Sequence, residues 1–209
     1  ISLTQSMAAA TGPIATRIRS FVMRAGRMTA GQEQGWQQGF PQFGLTVAQG
    51  ALDWDKTFGS PGRRVLEIGF GMGDSLLQMA QAEPETQFVG IEVHRPGVGR
   101  LLSQALGLGI GNLRVYAEDA VDVLSHCVAP ASLDAVHIFF PDPWHKKRHH
   151  KRRLIQPKFV GDLAHLMRED GYLHLATDWT PYAEHMFDVL DAEPRLINAG
   201  GAPRSAVAR

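Results

Sequence analysis

The chain has 209 residues, of which 44% are apolar and 20% charged, with a formal net charge of zero. Those fractions exclude a mostly disordered chain, and no stretch approaches the ~18 consecutive apolar residues that a membrane-spanning helix needs. The one cysteine, Cys127, excludes an intrachain disulfide and favours a reducing compartment, so a cytoplasmic location is expected. The N-terminus lacks the order of a secretory signal, and a start at Ile1 rather than Met leads us to expect a fragment.

The zero net charge hides a strong local asymmetry. Residues 1–32 hold four arginines and no acid, and residues 145–153 hold six basic residues and no acid. Residues 33–144 hold six basic against thirteen acidic residues. Charge gathered this tightly points to a polyanionic partner, the plain alternative being a solvated tail and a solvated loop.

In chain order, residues 14–30 place Arg17, Arg19, Arg24 and Arg27 among scattered apolar residues. Residues 31–44 are rich in Gly, Gln and aromatics and read as irregular. Residues 1–60 are therefore expected to be a basic extension with an irregular segment, and residues 61–209 the main domain. A regular pattern begins at residue 64. Apolar runs at 64–69, 88–93, 113–119, 133–140 and 172–178 read as strands. Between and after them, helices are predicted over 73–84, 98–109, 121–124, 158–170 (closed by Gly171) and 181–193. Five such alternations imply βαβ units and a mostly parallel sheet with helices on both faces, the Rossmann-like architecture. Ligands of such sheets bind outside the carboxyl ends of the strands, so chemistry is sought there.

The first predicted strand ends in Glu67-Ile68-Gly69-Phe70-Gly71-Met72-Gly73-Asp74. Glycines in a strand-to-helix turn permit tight backbone geometry and close approach of a ligand. The spacing G-x-G-x-G fits the first motif of S-adenosylmethionine-dependent methyltransferases better than the dinucleotide fingerprint, whose sixth position is here Asp74. A methyltransferase, a dinucleotide binder and a plain structural turn all stay open at this point. Glu92, ending the second predicted strand, can accept from both ribose hydroxyls or be a surface carboxylate. The Glu118-Asp119 pair, ending the third, can take an adenine amine or cap the next helix.

The fourth predicted strand runs into Phe139-Phe140-Pro141-Asp142-Pro143-Trp144 and then into the basic run from His145 to Arg153. Two prolines fix φ on either side of Asp142 and remove two backbone donors, which makes a rigid carboxylate at the mouth of the sheet. A zinc site on the three histidines of this run is disfavoured by the neighbouring cations, and no metal is expected. The fifth predicted strand ends in Thr177-Asp178-Trp179, again an acid beside an aromatic, which suits a helix cap or a substrate contact equally.

The stretches LEIGFGMGDSL (66–76), FVGIEVHRPGVG (88–99), FFPDPWHKKRHHKRRL (139–154) and LATDWTPYAEHM (175–186) together resemble the bacterial tRNA (guanine-N7-)-methyltransferase family. IRSFVMRAGRMTAGQ (18–32) is similar to that family's entry segment. The resemblance covers about residues 14–193 and implies a class I methyltransferase fold with S-adenosylmethionine as methyl donor. It implies tRNA as substrate, with methylation at N7 of the variable-loop guanine at position forty-six. By matching motifs it implies Glu67, Gly69, Gly71, Gly73, Glu92, Asp119 and Asp142 as the cofactor site, with Asp142 also the catalytic candidate. Lys146 and Asp178 would be substrate contacts, and Arg148, His149, His150, Lys151, Arg152 and Arg153 would meet the RNA. In the family a segment containing Thr-x-Phe-Glu and a closing strand follow the last helix. This sequence stops at Arg209 before such a segment, so missing C-terminal strands are expected. The alternative reading is then a catalytically impaired tRNA-binding protein of the same fold.

Overall fold

A computed structural model describes residues 26–199. Arg17, Arg19 and Arg24 of the basic N-terminal segment lie outside the described residues. Six strands form one sheet in the order β1-β4-β3-β2-β5-β6, and every pair is parallel. They are β1 (Gly44–Leu45), β2 (Arg64–Ile68), β3 (Gln87–Ile91), β4 (Leu113–Tyr116), β5 (Leu133–Phe139) and β6 (Met167–Ala176). The helices are α1 (Ala30–Phe43), α2 (Trp54–Phe58), α3 (Asp74–Ala82), α4 (Arg95–Leu108), α5 (Ala120–Cys127), α6 (Pro157–Leu166) and α7 (Thr180–Asp191).

Alternation along the strands divides the core. Leu66, Val89, Val136 and Ile138 point to one face, where Leu124, Phe159, Leu163 and Met186 of α5, α6 and α7 cover them. Val65, Phe88, Val115 and Ala135 point to the other, against Phe43, Leu76, Leu101 and Leu102 of α1, α3 and α4. The order reverses beside β2, whose neighbours are β3 and β5. A crevice at the carboxyl ends of β2 and β5 follows from that reversal.

Two differences from the sequence reading have physical causes. Residues 31–44 are not irregular: α1 runs through Ala30–Phe43. Its start is a capping box, in which Thr29 Oγ1 accepts from the Gln32 N–H and Gln32 Oε1 accepts from the Thr29 N–H at 2.9 Å. Gly35 and Gly39, four apart, form a groove on α1 into which Gly99, Leu102 and Ser103 of α4 fit. Helix propensity is poor in a Gly-rich stretch, and tertiary packing overrides it. Residues 44–45 then add β1 to the edge of the sheet, so residues 30–45 pack against the rest.

The second difference lies at residues 167–171. The helix predicted to reach Gly171 ends at Leu166, and β6 begins at once with Met167 opposite Leu133. The pairing then jumps to Ala135 opposite Tyr172, so residues 168–171 bulge from the ladder. The helix pattern and the bulged strand share the polar run Arg168-Glu169-Asp170, which carries no periodicity to separate them. Among the described residues β6 is an edge strand.

Candidate active site

The crevice at the switch point is a cleft of about 820 Å³. Its floor and walls come from the ends of β2, β3, β4 and β5, as parallel topology requires. Gly69 and Gly71 line it after β2, Glu92 and His94 after β3, Glu118 and Asp119 after β4, and the segment 139–146 after β5.

The glycine turn is held by the acid of the neighbouring strand. Glu92 Oε2 accepts from the Gly71 N–H at 2.8 Å, and Glu92 Oε1 accepts from the His94 N–H at 2.8 Å. Gly69, Gly71 and Gly73 all take positive φ, at 75°, 59° and 83°, which only glycine adopts without strain. Gly73 is also packed on Leu101, so it closes the turn rather than facing the cleft. Asp119 caps α5, its Oδ1 accepting from the Val121 N–H at 3.0 Å, while the residue lines the cleft. The cap and a ligand contact are thus compatible at one residue. Glu118 turns partly away, with Oε2 accepting from the Val47 N–H at 2.6 Å behind β1.

The Pro141–Asp142–Pro143 turn is bracketed by two strained residues. Phe140 and Trp144 have φ of 50° and 48°, in the left-handed region that costs a side-chain-bearing residue roughly 1–2 kcal/mol. The Phe140 N–H donates to the Ala176 carbonyl at 2.8 Å, which ties the turn to the end of β6. Asp142 is exposed on the cleft wall, with Lys146 and His149 on the same wall. Phe140 is 65% exposed beside it, which apolar burial does not explain.

The basic run divides by position. Lys146, Lys147, Arg148 and Lys151 are exposed, and residues Lys147–Arg152 form a 3₁₀ turn. Arg152 lies over the Trp144 ring at 4.6 Å. His149 is held below the ordinary histidine range, by desolvation first and then by Arg148 and Arg152. His150 points back toward Arg153, which is 4% exposed and therefore not placed on the surface with the others. Asp178 is exposed outside the cleft lining, next to Trp179, whose ring meets His145 edge-on at 4.5 Å.

A family model described as "Putative methyltransferase" matches residues 62–204. The chain is 57% identical over 181 residues to the tRNA (guanine-N(7)-)-methyltransferase of Pseudomonas paraeruginosa, covering 87% of this chain and 74% of that one. It is 56% identical over 181 residues to the enzyme of the same name from Stutzerimonas stutzeri, covering 87% and 76%. The chain belongs to the tRNA (guanine-N(7)-)-methyltransferase family. Among solved structures, a precorrin-6y C5,15-methyltransferase from Geobacter metallireducens superposes with a TM-score of 0.50 at 11% identity over 64% of each chain, which shows the shared fold.

The methyltransferase site fits a donor that carries both an ammonium group and a ribose. Glu67 is 2% exposed on β2, two residues before the glycine turn, and its Oε2 is buried with no hydrogen-bond partner. Burial pushes its carboxyl up to about 7. Glu67 itself lies outside the cleft lining, next to Ile68 and two residues before Gly69, which line it. Its one unpartnered oxygen suits a cationic amine, and half-buried Glu92 on the cleft wall suits a diol. Among the described residues no group of three or more His, Cys, Asp or Glu is gathered as a metal ion would need, and no helix is long and apolar enough to cross a membrane.

Neither His94 nor His145, which line the cleft, is among the expected cofactor or substrate residues, and His145 enters the sequence reading only through the disfavoured zinc site. Their signal was their place, two residues beyond Glu92 and one beyond Trp144, just past strand ends. The inward turn of Arg153 had no sequence signal, since nothing in a basic run marks one member as buried.

Proposed function

We propose that this methyltransferase transfers a methyl group to N7 of a guanine in tRNA, with the variable-loop guanine at position forty-six as target. The observation that carries the reading is Asp142, fixed between two prolines on the wall of the switch-point cleft that the Glu92-clasped glycine turn also lines. S-adenosylmethionine, when bound, supplies a methyl group on a sulfonium. Glu67, Glu92 and Asp119 are the acids that would hold it, through its ammonium, ribose and adenine.

Guanine N7 carries a lone pair and no proton, so the protein needs no general base. What remains is orientation in line with the methyl, and electrostatics. The base gains positive charge as the methyl arrives. The Asp142 carboxylate can accept from the guanine N–H edge and favours that charge. Lys146, Arg148 and Lys151 are exposed, Lys146 on the cleft wall, and would meet phosphates. Asp178, beside Trp179, is a candidate second contact to the RNA.

The test is methylation of an unmodified tRNA transcript with labelled S-adenosylmethionine, followed by borohydride reduction and aniline cleavage, which cut at 7-methylguanine. Cleavage at the variable-loop guanine is the expected result. Label without that cleavage, or no label, overturns the reading.

A further inference from the structure

Arg153 closes the basic run, yet its guanidinium is turned into the protein. Its Nε donates to the Pro143 carbonyl at 2.9 Å. Its Nη2 lies 3.2 Å from His150 Nε2, which must be the acceptor because a guanidinium has none. Its Cζ lies 4.7 Å from the centre of the Tyr182 ring, on α7. Tyr182 is fully buried, and its hydroxyl accepts from the Ile155 N–H at 3.3 Å. Among the described residues no carboxylate is paired with this guanidinium.

A buried cation without a carboxylate is costly, and an apolar side chain would fill the same space at lower cost. Non-specific phosphate affinity does not account for it either, because phosphate is met from the surface. What the three contacts have in common is that they join three pieces. Pro143 belongs to the turn that carries Asp142, His150 to the 3₁₀ turn of the basic run, and Tyr182 to the first turn of α7. The residues just before α7 are Asp178 and Trp179, and Trp179 touches His145 of the same loop.

The geometry points to Arg153 as a positioning residue: it sets the Asp142 turn against the basic run and α7, so that RNA held by the exposed cations is presented to a fixed carboxylate. Arg153 does not itself meet phosphate. The last step of this inference rests on the proposed methylation of tRNA, whereas the placement of Arg153 does not.

Four chains test it: wild type, Arg153→Met, Arg153→Lys, and the combined Arg148→Ala, Lys151→Ala, Arg152→Ala variant. Three quantities are read on each. They are tRNA affinity across a salt series, S-adenosylhomocysteine affinity by calorimetry, and single-turnover methylation at saturating tRNA and donor. The triple variant should lose about 2–3 from the slope of log K against log salt, at roughly 0.7–0.9 per phosphate contact. Arg153→Met should keep the wild-type slope while its turnover falls by about tenfold or more, as loss of orientation predicts. It should also bind S-adenosylhomocysteine several-fold more weakly, because the turn it frees lines the cleft. Arg153→Lys can still donate to the Pro143 carbonyl and should recover part of both losses. If Arg153→Met does not fold, Arg153→Lys carries the test with the same unchanged slope and smaller losses.

A slope reduced by about 0.7–0.9 in Arg153→Met makes the residue a phosphate contact and overturns the inference. So does a folded Arg153→Met with wild-type turnover and wild-type cofactor affinity, which would leave a purely structural role. If the wild-type chain methylates no tRNA, the methylation reading fails on its own. The salt slope and the S-adenosylhomocysteine affinity then still decide for or against Arg153.

Discussion

Glu67 on β2 and His137 on β5 stand directly opposite one another in the parallel sheet, and each keeps one buried side-chain atom, Oε2 and Nδ1, without a hydrogen-bond partner. They share the sheet face of Val65 and Ala135. Burial acts on both in the sense that disfavours charge, so the carboxyl is pushed up to about 7 and the imidazole down to about 4. The centre of the sheet beside the glycine turn is therefore a place that resists charge, with His137 neutral and Glu67 in mid-titration near pH 7.

The raised carboxyl makes the stability of the unliganded chain fall with pH. Below about 4.5 Glu67 is protonated whether folded or not, and it costs nothing. Between about 4.5 and 7 the unfolded chain ionises it while the folded chain does not, and above about 7 the full cost is present. At 1.36 kcal/mol per pKa unit that cost is about 3 kcal/mol. Glu67→Gln should therefore gain on wild type by about that amount between pH 4 and pH 8, measured by urea unfolding at each pH. An ammonium of the bound cofactor would pull the Glu67 carboxyl back down. Titration of S-adenosylhomocysteine near pH 7 should then release protons, seen as a binding heat that depends on the buffer. A stability difference that does not change with pH would show that Glu67 is ionised in the free protein.

His137 acts in the opposite direction on the acid side. Its imidazole is lowered by burial first, then by His174 and Arg63, with Glu83 opposing. Above about 6.5 it is neutral in both states. As pH falls from there toward about 4 the unfolded chain takes up a proton that the folded chain refuses, and stability is lost. The Nε2 bond to the Tyr172 hydroxyl at 3.1 Å does not require a charged ring. His137→Leu should remove a loss of about 3 kcal/mol between pH 7 and pH 4, at 1.36 kcal/mol per unit. An acid unfolding profile identical to wild type would assign the acid sensitivity to other groups.

The contact of α1 with α4 is decided by the absence of side chains. A Cβ on Gly35 would meet the Gly99 carbonyl and the Ser103 backbone, and one on Gly39 would lie 2.7 Å from Leu102 Cβ. Gly→Ala in an exposed helix gains up to about 1 kcal/mol, so propensity alone predicts stabilisation. Overpacking costs roughly 1–3 kcal/mol and should win here. Gly35→Ala should lower the melting temperature, while Gly31→Ala, which meets nothing within 4 Å, should not.

The four central strands were legible because each is a short apolar run largely buried on both faces, and because glycine or an acid ends most of them; the apolar run at 172–178 marked the edge strand β6 although that strand is largely exposed. The cleft acids were legible for the same reason, since parallel topology fixes where strand ends go. The helix over residues 30–43 was hidden by its composition. Its evidence was the Thr29-to-Gln32 capping box and the four-residue spacing of Gly35 and Gly39, which mean a helix only if another helix lies in the groove. The direction of Arg153 was hidden more deeply. Side-chain orientation within a run of cations depends on what packs beneath it, here Tyr182, twenty-nine residues further along.

Glu92 joins cofactor geometry to loop geometry, so its replacement acts twice. Its two oxygens already accept from the Gly71 and His94 N–H groups. A ribose diol would add to the same carboxylate. Glu92→Ala should weaken S-adenosylhomocysteine by roughly 1.5–3 kcal/mol, the worth of hydrogen bonds to a charged acceptor, or about ten- to a hundred-fold in affinity. Glu92→Gln keeps one acceptor and should fall between. Calorimetry giving wild-type affinity for Glu92→Ala would remove this residue from the cofactor site.

Asp142 is where positioning and charge can be told apart. Prolines on both sides and the left-handed residues Phe140 and Trp144 outside them hold the turn, so its backbone shape does not depend on the carboxylate. Asp142→Asn keeps the shape and one acceptor oxygen, and replaces the charge and the second acceptor by a neutral NH2 donor. If that charge offsets the cation forming on guanine, its loss should cost about 2.7–4 kcal/mol in the barrier, by analogy with removal of one oxyanion donor. That corresponds to roughly a hundred- to a thousand-fold in rate at saturating tRNA and donor. The affinity for tRNA should change little, because the exposed cations of the basic run supply it. Single-turnover methylation with labelled donor measures the rate, and a salt series on the same variant measures the affinity. A rate within threefold of wild type would make Asp142 a turn residue and pass the guanine contact to another acid, with Asp178 the next to replace.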